Sequence, residues 1–553
     1  SSPGSGRRAP GIAASERFAL AAGSASAASA CRKNRRCIET MIIQNDRWFR
    51  AILFVVRSIW LRFLSSDCAI IRAMQKRTKI VATLGPASAE VKRLRKMIRA
   101  GLDVARINFS HGEADEHRAR AEALRLAARK EGKDIGLLGD LQGPKIRVKR
   151  FRENSVELKD GAPFFLDSTL GLEEGSVEGV GVALETMHED VEAGDTLLLN
   201  DGMITLDVES VDGTRIHTRV VNGGILSDHK GINKKGGGLS ARALTEIDKA
   251  NIQLAADLKM DFLAVSFVRT GEEIEEARSL FRAAGGSGHI VAKIERTEAV
   301  DNIDAIIEAA DIIMVARGDL GVEMGYAELI GAQKSIIRKT RRASKIVITA
   351  TQMMESMIQH PIPTRAEVSD VSNAVMDGSD AVMLSGETAV GQHPVKAVQA
   401  MAEVCVGAES YPLPPGRTGH RIGDYFERVD EAIAMAAMYT ANHLNVKAII
   451  ALTESGSTTR WMSRIRSDIP IYAFTAHPAT SRRVALYRGV YPVTFELNHT
   501  ESRFLYSDIF RTLLEHELVE IDDLVIFTKG DLDGVTGTTN AMKILKVTAP
   551  ETP

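Results

Sequence analysis

Eight short apolar runs, each ending in polar residues and followed by a stretch of helical character, constrain the fold of this chain more than any other feature. Continuous apolar, β-branched runs favour parallel strands that are buried on both faces. Eight strand–helix units in series predict an α/β fold, a closed (β/α)8 TIM barrel, although the pattern alone leaves an open doubly wound sheet possible. The runs are Lys79–Leu84, Val104–Phe109, Ile135–Asp140, Phe262–Phe267, Ile290–Glu295, Ile312–Ala316, Ile346–Thr351 and Ala381–Ser385.

The third and fourth runs are separated by residues 143–230, a segment with a different composition and a different hydrophobic pattern. It is rich in Gly and Asp, and its apolar residues alternate with polar ones, as in half-buried strands. The dipeptides Asp160-Gly161, Asp201-Gly202 and Asp212-Gly213 indicate hairpin turns. We therefore predict an inserted all-β domain. Because it leaves the barrel at the carboxyl end of a strand, it is placed to act as a lid.

The domains follow from these boundaries. We predict a barrel domain (74–142 and 231–410), a β-rich lid domain (143–230) and a C-terminal α/β domain (417–553). A Pro-rich linker at 411–416 precedes the last domain, in which three apolar runs alternate with helical stretches. Those runs are Ala448–Leu452, Ile471–Phe474 and Leu524–Thr528.

Residues 1–73 form a leader that differs from the rest of the chain, with twelve Lys or Arg residues against four Asp or Glu. Its composition resembles that of an organelle transit peptide. However, Met74 stands immediately before the first patterned segment, so we favour translated upstream sequence that is non-native or disordered. Charged residues interrupt its apolar stretch at 51–71, which argues against a membrane span.

The net charge of −2 gives no support to a nucleic-acid or membrane partner. Beyond the leader, Cys405 is the one cysteine in the sequence. A disulfide framework is therefore excluded there, and we expect a cytoplasmic protein.

Polar residues at the ends of the runs carry the chemistry, since the chain has no Walker A motif and no protein-kinase signature. Glu295 and Asp319 follow neighbouring runs, and two carboxylates can share one Mg²⁺. Lys293 would lie beside them as a fixed cation facing a phosphoryl group. In the second run, Arg106 can clamp a phosphate.

The wording of these motifs resembles the pyruvate kinase family, in its bacterial-type form, over residues 77–400 and more loosely beyond. The segments that carry the resemblance are TKIVATLGPAS, ARINFSHG, GDLQGPKIR, AKIE, ARGDLG, ATQMMESM, PTRAEVSDVSNAV and MLSGETAVG. The resemblance implies transfer of phosphate from phosphoenolpyruvate to ADP, giving pyruvate and ATP in the final step of glycolysis. It also implies a homotetramer.

The resemblance assigns roles to individual residues. Glu295 and Asp319 would hold Mg²⁺ or Mn²⁺ bridging the substrate, while Arg106 and Lys293 neutralise the phosphoryl group. The remaining roles are substrate carboxylate binding by Gly318 and Thr351, nucleotide contact by Arg106, His111 and Lys230, a proton relay through Thr351, Ser385 and Glu387, and lid closure bringing Asp201 over the site.

One segment departs from the family pattern. Many members read Asp-Thr-Lys-Gly-Pro-Glu after the third strand and use it in a K⁺ site, whereas this chain reads Asp140-Leu141-Gln142-Gly143-Pro144-Lys145. Lys145 would supply a fixed ammonium in place of a monovalent cation. We therefore predict that K⁺ is not required and that the monovalent-cation site is vestigial, with the residues Asn108, Ser110, Asp140 and Leu141.

A hydroxyl-rich loop in the C-terminal domain resembles the family's effector loop, where sugar phosphates bind. Consecutive hydroxyl groups around a glycine before a helix can cradle a phosphate. An ordinary helix cap is the alternative, and Glu454 adds an adverse charge that favours a monophosphate effector, a sugar phosphate or nucleotide. The candidate residues are Thr453, Ser455, Gly456, Ser457 and Thr458.

Two other functions compete with this interpretation. A catalytically silent relative that senses phosphate metabolites should have lost at least one of the catalytic residues, and none is lost. Another Mg²⁺-dependent barrel enzyme acting on phosphoenolpyruvate or a 2-oxo acid would share the carboxylate pair, but it has no need of the lid or the hydroxyl-rich loop.

Overall fold

The computed structural model describes residues 76–411, 425–496, 502–530, 537 and 539–550. The leader at 1–73 and most of the predicted linker, residues 412–416, lie outside the described residues.

The described chain opens with three parallel strands separated by two helices. The first helix follows its apolar spacing, because Leu94, Met97 and Ile98 lie on one face and are buried. The elements are β1 (Lys79–Thr83), α1 (Val91–Ala100), β2 (Val104–Asn108), α2 (Ala114–Glu131) and β3 (Gly136–Asp140).

Eight strands of a separate β-rich region follow β3. They are β4 (Ser155–Leu158), β5 (Pro163–Asp167), β6 (Gly179–Gly181), β7 (Thr196–Leu199), β8 (Ile204–Asp212), β9 (Arg215–Asn222), β10 (Gly224–Ser227) and β11 (Ile232–Lys234). Six of them form one sheet in the order β11-β7-β8-β9-β5-β6, and β10 pairs with β4.

The Asp-Gly turns of this region divide into two kinds. Asp201-Gly202 and Asp212-Gly213 join antiparallel neighbours, β7 to β8 and β8 to β9, as predicted. The hairpin prediction for Asp160-Gly161 was wrong, because β4 pairs with β10 and β5 with β6 and β9. A turn dipeptide marks a reversal of the chain but does not choose the strand's partner.

The chain then returns to the barrel with five further strands and their helices. They are α3 (Glu246–Asp257), β12 (Phe262–Val265), α4 (Gly271–Ala283), β13 (His289–Ile294), α5 (Thr297–Asp301), α6 (Ile303–Ala309), β14 (Ile312–Ala316), α7 (Arg317–Met324), α8 (Tyr326–Arg342), β15 (Ile346–Ala350), α9 (Arg365–Asp377), β16 (Ala381–Leu384), α10 (Gly386–Ala389) and α11 (Pro394–Glu409).

The eight parallel strands close into a barrel in the order β1-β16-β15-β14-β13-β12-β3-β2. Closure confirms the predicted barrel and excludes the open sheet. Alternate residues of each strand face opposite ways: Ile80 and Ala82 pack in the core under the helices, whereas Val81 belongs to a second cluster inside the barrel. Burial on both faces explains why these strands read as continuous apolar runs.

The C-terminal domain is a five-stranded sheet with helices, in the order β19-β18-β17-β20-β21. Its antiparallel edge strand, β21, has no continuous apolar run and was not predicted. Its elements are α12 (Val429–His443), β17 (Ala448–Leu452), α13 (Ser457–Ser463), β18 (Ile471–Thr475), α14 (Pro478–Val484), β19 (Val490–Thr494), α15 (Ser502–Glu515), β20 (Leu524–Gly530) and β21 (Thr539–Lys546). Within the described ranges, no helix is long and apolar enough to cross a membrane.

The barrel interior and the C-terminal domain share one apolar core. Phe262 and Met314 inside the barrel belong to the same buried cluster as Leu486 and Tyr487. A hydrogen bond from a side chain to the backbone lies at the same junction, where the buried Lys79 donates from Nζ to the carbonyl of Val490 at 2.6 Å. The C-terminal domain therefore covers the amino-terminal end of the barrel, opposite the strand ends that carry the predicted site.

A buried ion pair crosses this junction. The Arg464 guanidinium makes a bidentate pair with Asp380, which precedes β16, and both side chains are at most 4% exposed. Asp380 also accepts the backbone N–H of Val347, at 2.9 Å.

We predict that Asp380→Ala lowers the free energy of unfolding by about 3–5 kcal/mol, because it leaves the Arg464 guanidinium buried without its anion. Urea denaturation followed by circular dichroism measures this. The control is Asp304→Ala, which removes an exposed partner of Lys339 and should change stability little. Equal effects of the two substitutions would contradict the prediction.

Candidate active site

The predicted catalytic residues converge on the carboxyl-terminal mouth of the barrel, because each lies at the end of a strand or just beyond it. Arg106 is in β2 and Lys293 in β13, while Glu295 follows β13 directly. Asp319 lies in the first turn of α7, after β14. Thr351 and Ser385 are the first residues after β15 and β16.

Four buried charged groups form the centre of this mouth. Arg106 donates from Nε to Asp140 at 2.6 Å, and Lys293 Nζ lies 3.2 Å from Asp140 and 2.8 Å from Glu295. Burial alone would lower the pKa of Lys293, but the carboxylates of Asp140 and Glu295 outweigh it and raise that pKa. Burial opposes ionisation of Asp140, yet the two cations hold its pKa below the ordinary value. The mouth therefore carries fixed ammonium and guanidinium charges.

Ser266 is a site residue that sequence reasoning missed. Its hydroxyl accepts a hydrogen bond from Lys293 Nζ at 2.6 Å and donates to Leu141 O at 2.7 Å, so it orients the lysine. The next residue, Phe267, has a φ of +56° and donates its N–H to Glu295 at 2.8 Å. The signal was present, since Ser266 is the penultimate residue of the fourth run, but we assigned no chemistry to that strand end.

The carboxylates of Glu295 and Asp319 suit a divalent cation. Burial raises the pKa of Glu295; the Lys293 ammonium opposes this rise and the negative charge of Asp319 adds to it. A divalent cation between the two would relieve their repulsion, and Mg²⁺ is commonly held by one or two carboxylates with water and substrate oxygens in the other positions. No cluster of three or more candidate metal ligands is found in the described part of the chain. The metal role of this carboxylate pair stays a prediction.

Lys145 joins this pair to the lid. Its Nζ lies 3.0 Å from Asp319 and 3.5 Å from Asp201, the residue at the tip of the β7–β8 turn. Burial would lower the pKa of Lys145, but Asp319 and Asp201 raise it. The Lys145 ammonium thus pairs with Asp319, one of the two predicted metal ligands, and with Asp201 of the lid, while Asp140 pairs with Arg106 and Lys293.

Thr351 occupies a strained turn. Its φ of +67° is unusual for a β-branched residue. The turn is held by Arg317, which is buried, pairs with Asp370 at 2.7 Å and donates to the carbonyl of Thr351, also at 2.7 Å. The Thr351 hydroxyl accepts the N–H of Gly318 at 2.8 Å, so the two groups predicted to bind the substrate carboxylate contact each other. Arg317 was not predicted, since its motif drew attention to Asp319.

Glu387 and Ser385 lie beside this turn. Glu387 is buried and accepts the backbone N–H groups of Ser385 at 2.7 Å and Met354 at 3.1 Å. Burial raises its pKa despite these hydrogen bonds. The Ser385 hydroxyl is buried and has no partner within the protein. An uncommitted hydroxyl next to a carboxyl group of raised pKa can pass a proton.

The remaining predicted residues lie at the margin of the site. Asn108 accepts the N–H of Ser110 through its side-chain oxygen at 3.2 Å. His111 is exposed and Lys230 partly exposed. Neither of these two side chains has an ion-pair partner among the described residues, so the structure leaves their predicted nucleotide contacts as predictions.

The hydroxyl-rich loop of the C-terminal domain has many of its polar groups already paired. The Ser457 hydroxyl donates to Asp430 at 3.1 Å, and the Thr453 hydroxyl accepts the N–H of Gly456 at 2.9 Å. Thr458 is bonded to Thr539 at 2.6 Å. Glu454 pairs with His477. Effector binding at this loop stays a prediction.

Comparison with known proteins identifies the family. The family model for the pyruvate kinase barrel domain matches residues 75–398, and that for the pyruvate kinase alpha/beta domain matches residues 431–545.

Whole-length relatives agree with the family models. The chain is 52% identical over 476 residues to pyruvate kinase II of Salmonella typhimurium, covering 85% of this chain and 99% of that protein. It is 51% identical to a pyruvate kinase of Haemophilus influenzae over 82% of this chain and 96% of that protein. The value is 42% for a pyruvate kinase of Geobacillus stearothermophilus, over 85% of this chain and 80% of that protein. With this closed barrel, this carboxylate pair and these matches, the chain belongs to the pyruvate kinase family.

Proposed function

We propose that this chain transfers the phosphoryl group of phosphoenolpyruvate to ADP, giving pyruvate and ATP. The observation that carries the proposal is the buried group of Arg106, Asp140, Lys293 and Glu295 beside Asp319, at the mouth of a barrel of this family. Phosphoryl transfer depends mainly on positioning and charge stabilisation, and such a site offers both.

Glu295 and Asp319 would hold Mg²⁺ or Mn²⁺, which supplies Lewis-acid stabilisation of negative charge on the phosphoryl and enol oxygens. Arg106 and Lys293 bind the phosphoryl oxygens as fixed cations. The bond from phosphorus to the enol oxygen breaks, and a terminal β-phosphate oxygen of ADP bonds to phosphorus. Because both cations are already held by Asp140, Glu295 and Ser266, little reorganisation accompanies the transfer.

The second step protonates the enolate of pyruvate at its methylene carbon. Thr351 lies beside Gly318, and its hydroxyl is fixed by the strained turn. We infer that the proton reaches this hydroxyl from solvent through the Ser385 hydroxyl and Glu387. Burial raises the pKa of Glu387, which suits a group that takes up and passes on a proton.

We predict that Lys293→Ala lowers kcat by about 10³-fold, because a fixed cation facing the transferred group is lost. A coupled assay of pyruvate formation from phosphoenolpyruvate and ADP measures this. The matched control is Lys334→Ala, which removes an exposed partner of Asp377 and should leave kcat within about twofold.

The same assay separates the competing functions. A silent relative would form no pyruvate in the wild-type form, and a barrel lyase or aldolase would form no ATP. Undiminished activity of Lys293→Ala would remove Lys293 from the mechanism.

We also propose that turnover does not require K⁺, since the Lys145 ammonium lies at 3.0 Å from Asp319. In buffer with tetramethylammonium as the monovalent cation, kcat should stay within about twofold of its value in K⁺. The reason is that the Lys145 side chain already supplies the positive charge that a monovalent cation would otherwise bring to the site. Steady-state kinetics in the two buffers tests this. Strong activation by K⁺ would show that the vestigial site is functional.

An effector site at the loop 453–458 is a further proposal. Its support is the run of hydroxyl groups, and the paired state of Ser457 and Thr453 means that binding would exchange existing hydrogen bonds. A sugar monophosphate or AMP is expected to lower the half-saturating phosphoenolpyruvate concentration, and Ser457→Ala should weaken this response. Effector titrations in which no such compound changes the kinetics would leave the loop structural.

We propose that the enzyme is a cytoplasmic homotetramer, as its family resemblance implies. Analytical ultracentrifugation and cell fractionation of the native protein test the two statements; a monomer or an organelle-bound protein would contradict them.

A further inference from the structure

The chain returns from the lid to the barrel after β11, and this connection lies against a buried carboxylate, Glu323 of α7. No step of the proposed reaction uses Glu323. This side chain is 3% exposed. One oxygen accepts the side-chain amide of Asn233 in β11 at 3.3 Å, and the other accepts the backbone N–H of Thr297 at 3.1 Å. A single carboxylate therefore contacts β11, which is the last strand of the lid's six-stranded sheet, and the segment after β13.

The position of Glu323 ties these contacts to the metal pair. Thr297 is two residues beyond Glu295, and Asp319 is one helical turn before Glu323 in α7. Displacing the carboxylate would thus disturb the segments that carry both metal-binding residues as well as the last strand of the lid.

The connection itself has the backbone of a hinge. Gly236, Gly237 and Gly238 have φ values of +85°, +84° and +95°, a conformation that other residues rarely adopt. The N–H of Gly236 donates to the carbonyl of Glu323 at 2.9 Å, and that of Gly238 donates to Glu298 at 2.6 Å. The backbone carbonyl of Glu323 and the side chain of the partly exposed Glu298 thus bond to two of the three glycines, and the N–H of Gly237 donates to the carbonyl of Lys234 at 3.0 Å.

The segment that receives the hinge has unsatisfied polar atoms. Arg296 Nε, Thr297 Oγ1 and Glu298 Oε2 are buried without a protein partner. Buried polar groups are normally hydrogen-bonded. Three unpaired atoms in three consecutive residues indicate that this segment is not fully satisfied in the conformation seen here.

We propose that Glu323 is a positioning residue that latches the lid's return hinge to the two segments carrying Glu295 and Asp319, so that lid position and metal affinity are coupled through it. The metal part of this inference rests on the proposed function, while the latch itself does not.

The charges around Glu323 give the latch a pH dependence. Burial raises its pKa to about 7; the nearby Arg296 and the hydrogen bonds from Thr297 and Asn233 oppose this, and Glu298 adds to it. A carboxyl group released to solvent would return toward its ordinary value of 4.5. Protonation therefore favours the latched state, and ionisation as the pH rises through 7 favours opening.

Hydrogen exchange at the amides of Gly236 and Gly238, in the full chain without substrates, tests the latch. After correction for intrinsic exchange rates, the opening constant should rise about thirtyfold between pH 5.5 and 8.5. In Glu323→Gln it should be independent of pH over this range, because the amide does not titrate: its oxygen can accept the Thr297 N–H, and its NH2 group can donate to the side-chain oxygen of Asn233 once that amide has turned over. In Glu323→Ala it should be high throughout.

Direct Mn²⁺ binding, followed by electron paramagnetic resonance, tests the coupling without any turnover. Glu323→Ala should raise the Mn²⁺ dissociation constant about tenfold, as loss of a group that orients metal ligands does, and Glu323→Gln should restore it. Glu328→Gln, an exposed residue of α8, is the matched control and should change neither readout. Asn233→Ala removes the lid's donor alone and should raise hinge exchange even if Glu323→Ala fails to fold.

The outcomes are distinct. Hinge exchange that Glu323→Ala and Asn233→Ala leave unchanged, or a Gln variant that behaves like the Ala variant, would overturn the latch. Altered hinge exchange with unaltered Mn²⁺ affinity would overturn the coupling. An inactive enzyme that shows both expected effects would contradict the proposed function and leave the latch standing.

Discussion

The catalytic mouth depends on the mutual neutralisation of buried charges. A carboxylate as deeply buried as Asp140 is costly on its own, and so is an ammonium at the position of Lys293. Each is stable because the other lies 3.2 Å away, with Arg106 and Glu295 completing the group. The barrel must therefore hold the ends of three strands, β2, β3 and β13, in fixed register before any substrate arrives, and the rest of the structure serves this requirement.

The elements around that centre hold it from two sides. Below, the strand register is fixed by cores on both faces of the barrel wall. Above, backbone strain at Phe267 and Thr351 is retained because Glu295 and Arg317 bond to those turns. Lys145 and Glu323 then connect the lid to the same strand ends. The barrel wall carries the groups of the proposed chemistry, and these two side chains connect that wall to the lid.

The barrel and the strand ends could be predicted because hydrophobic periodicity is local. Each of the eight predicted runs contains or overlaps a strand, with ends that differ by at most two residues. Ser266, Arg317 and Glu323 escaped prediction for the opposite reason. Their importance comes from partners distant in sequence, such as Lys293 for Ser266 and Asp370 for Arg317. The edge strand β21 escaped because half of its residues face solvent, and the mispredicted turn at Asp160-Gly161 shows that strand pairing is also a long-range property.

The apolar core shared by the barrel and the C-terminal domain limits how such a gene can be rearranged. Modules joined by linkers are commonly exchanged or lost, since each keeps its own core. Here Phe262 and Met314 belong to the same buried cluster as Tyr487, so a chain cut at the linker would open the floor of the barrel to water. The C-terminal domain is therefore inherited with the enzyme whether or not it binds any ligand, and a lineage that abandoned regulation would still have to retain it.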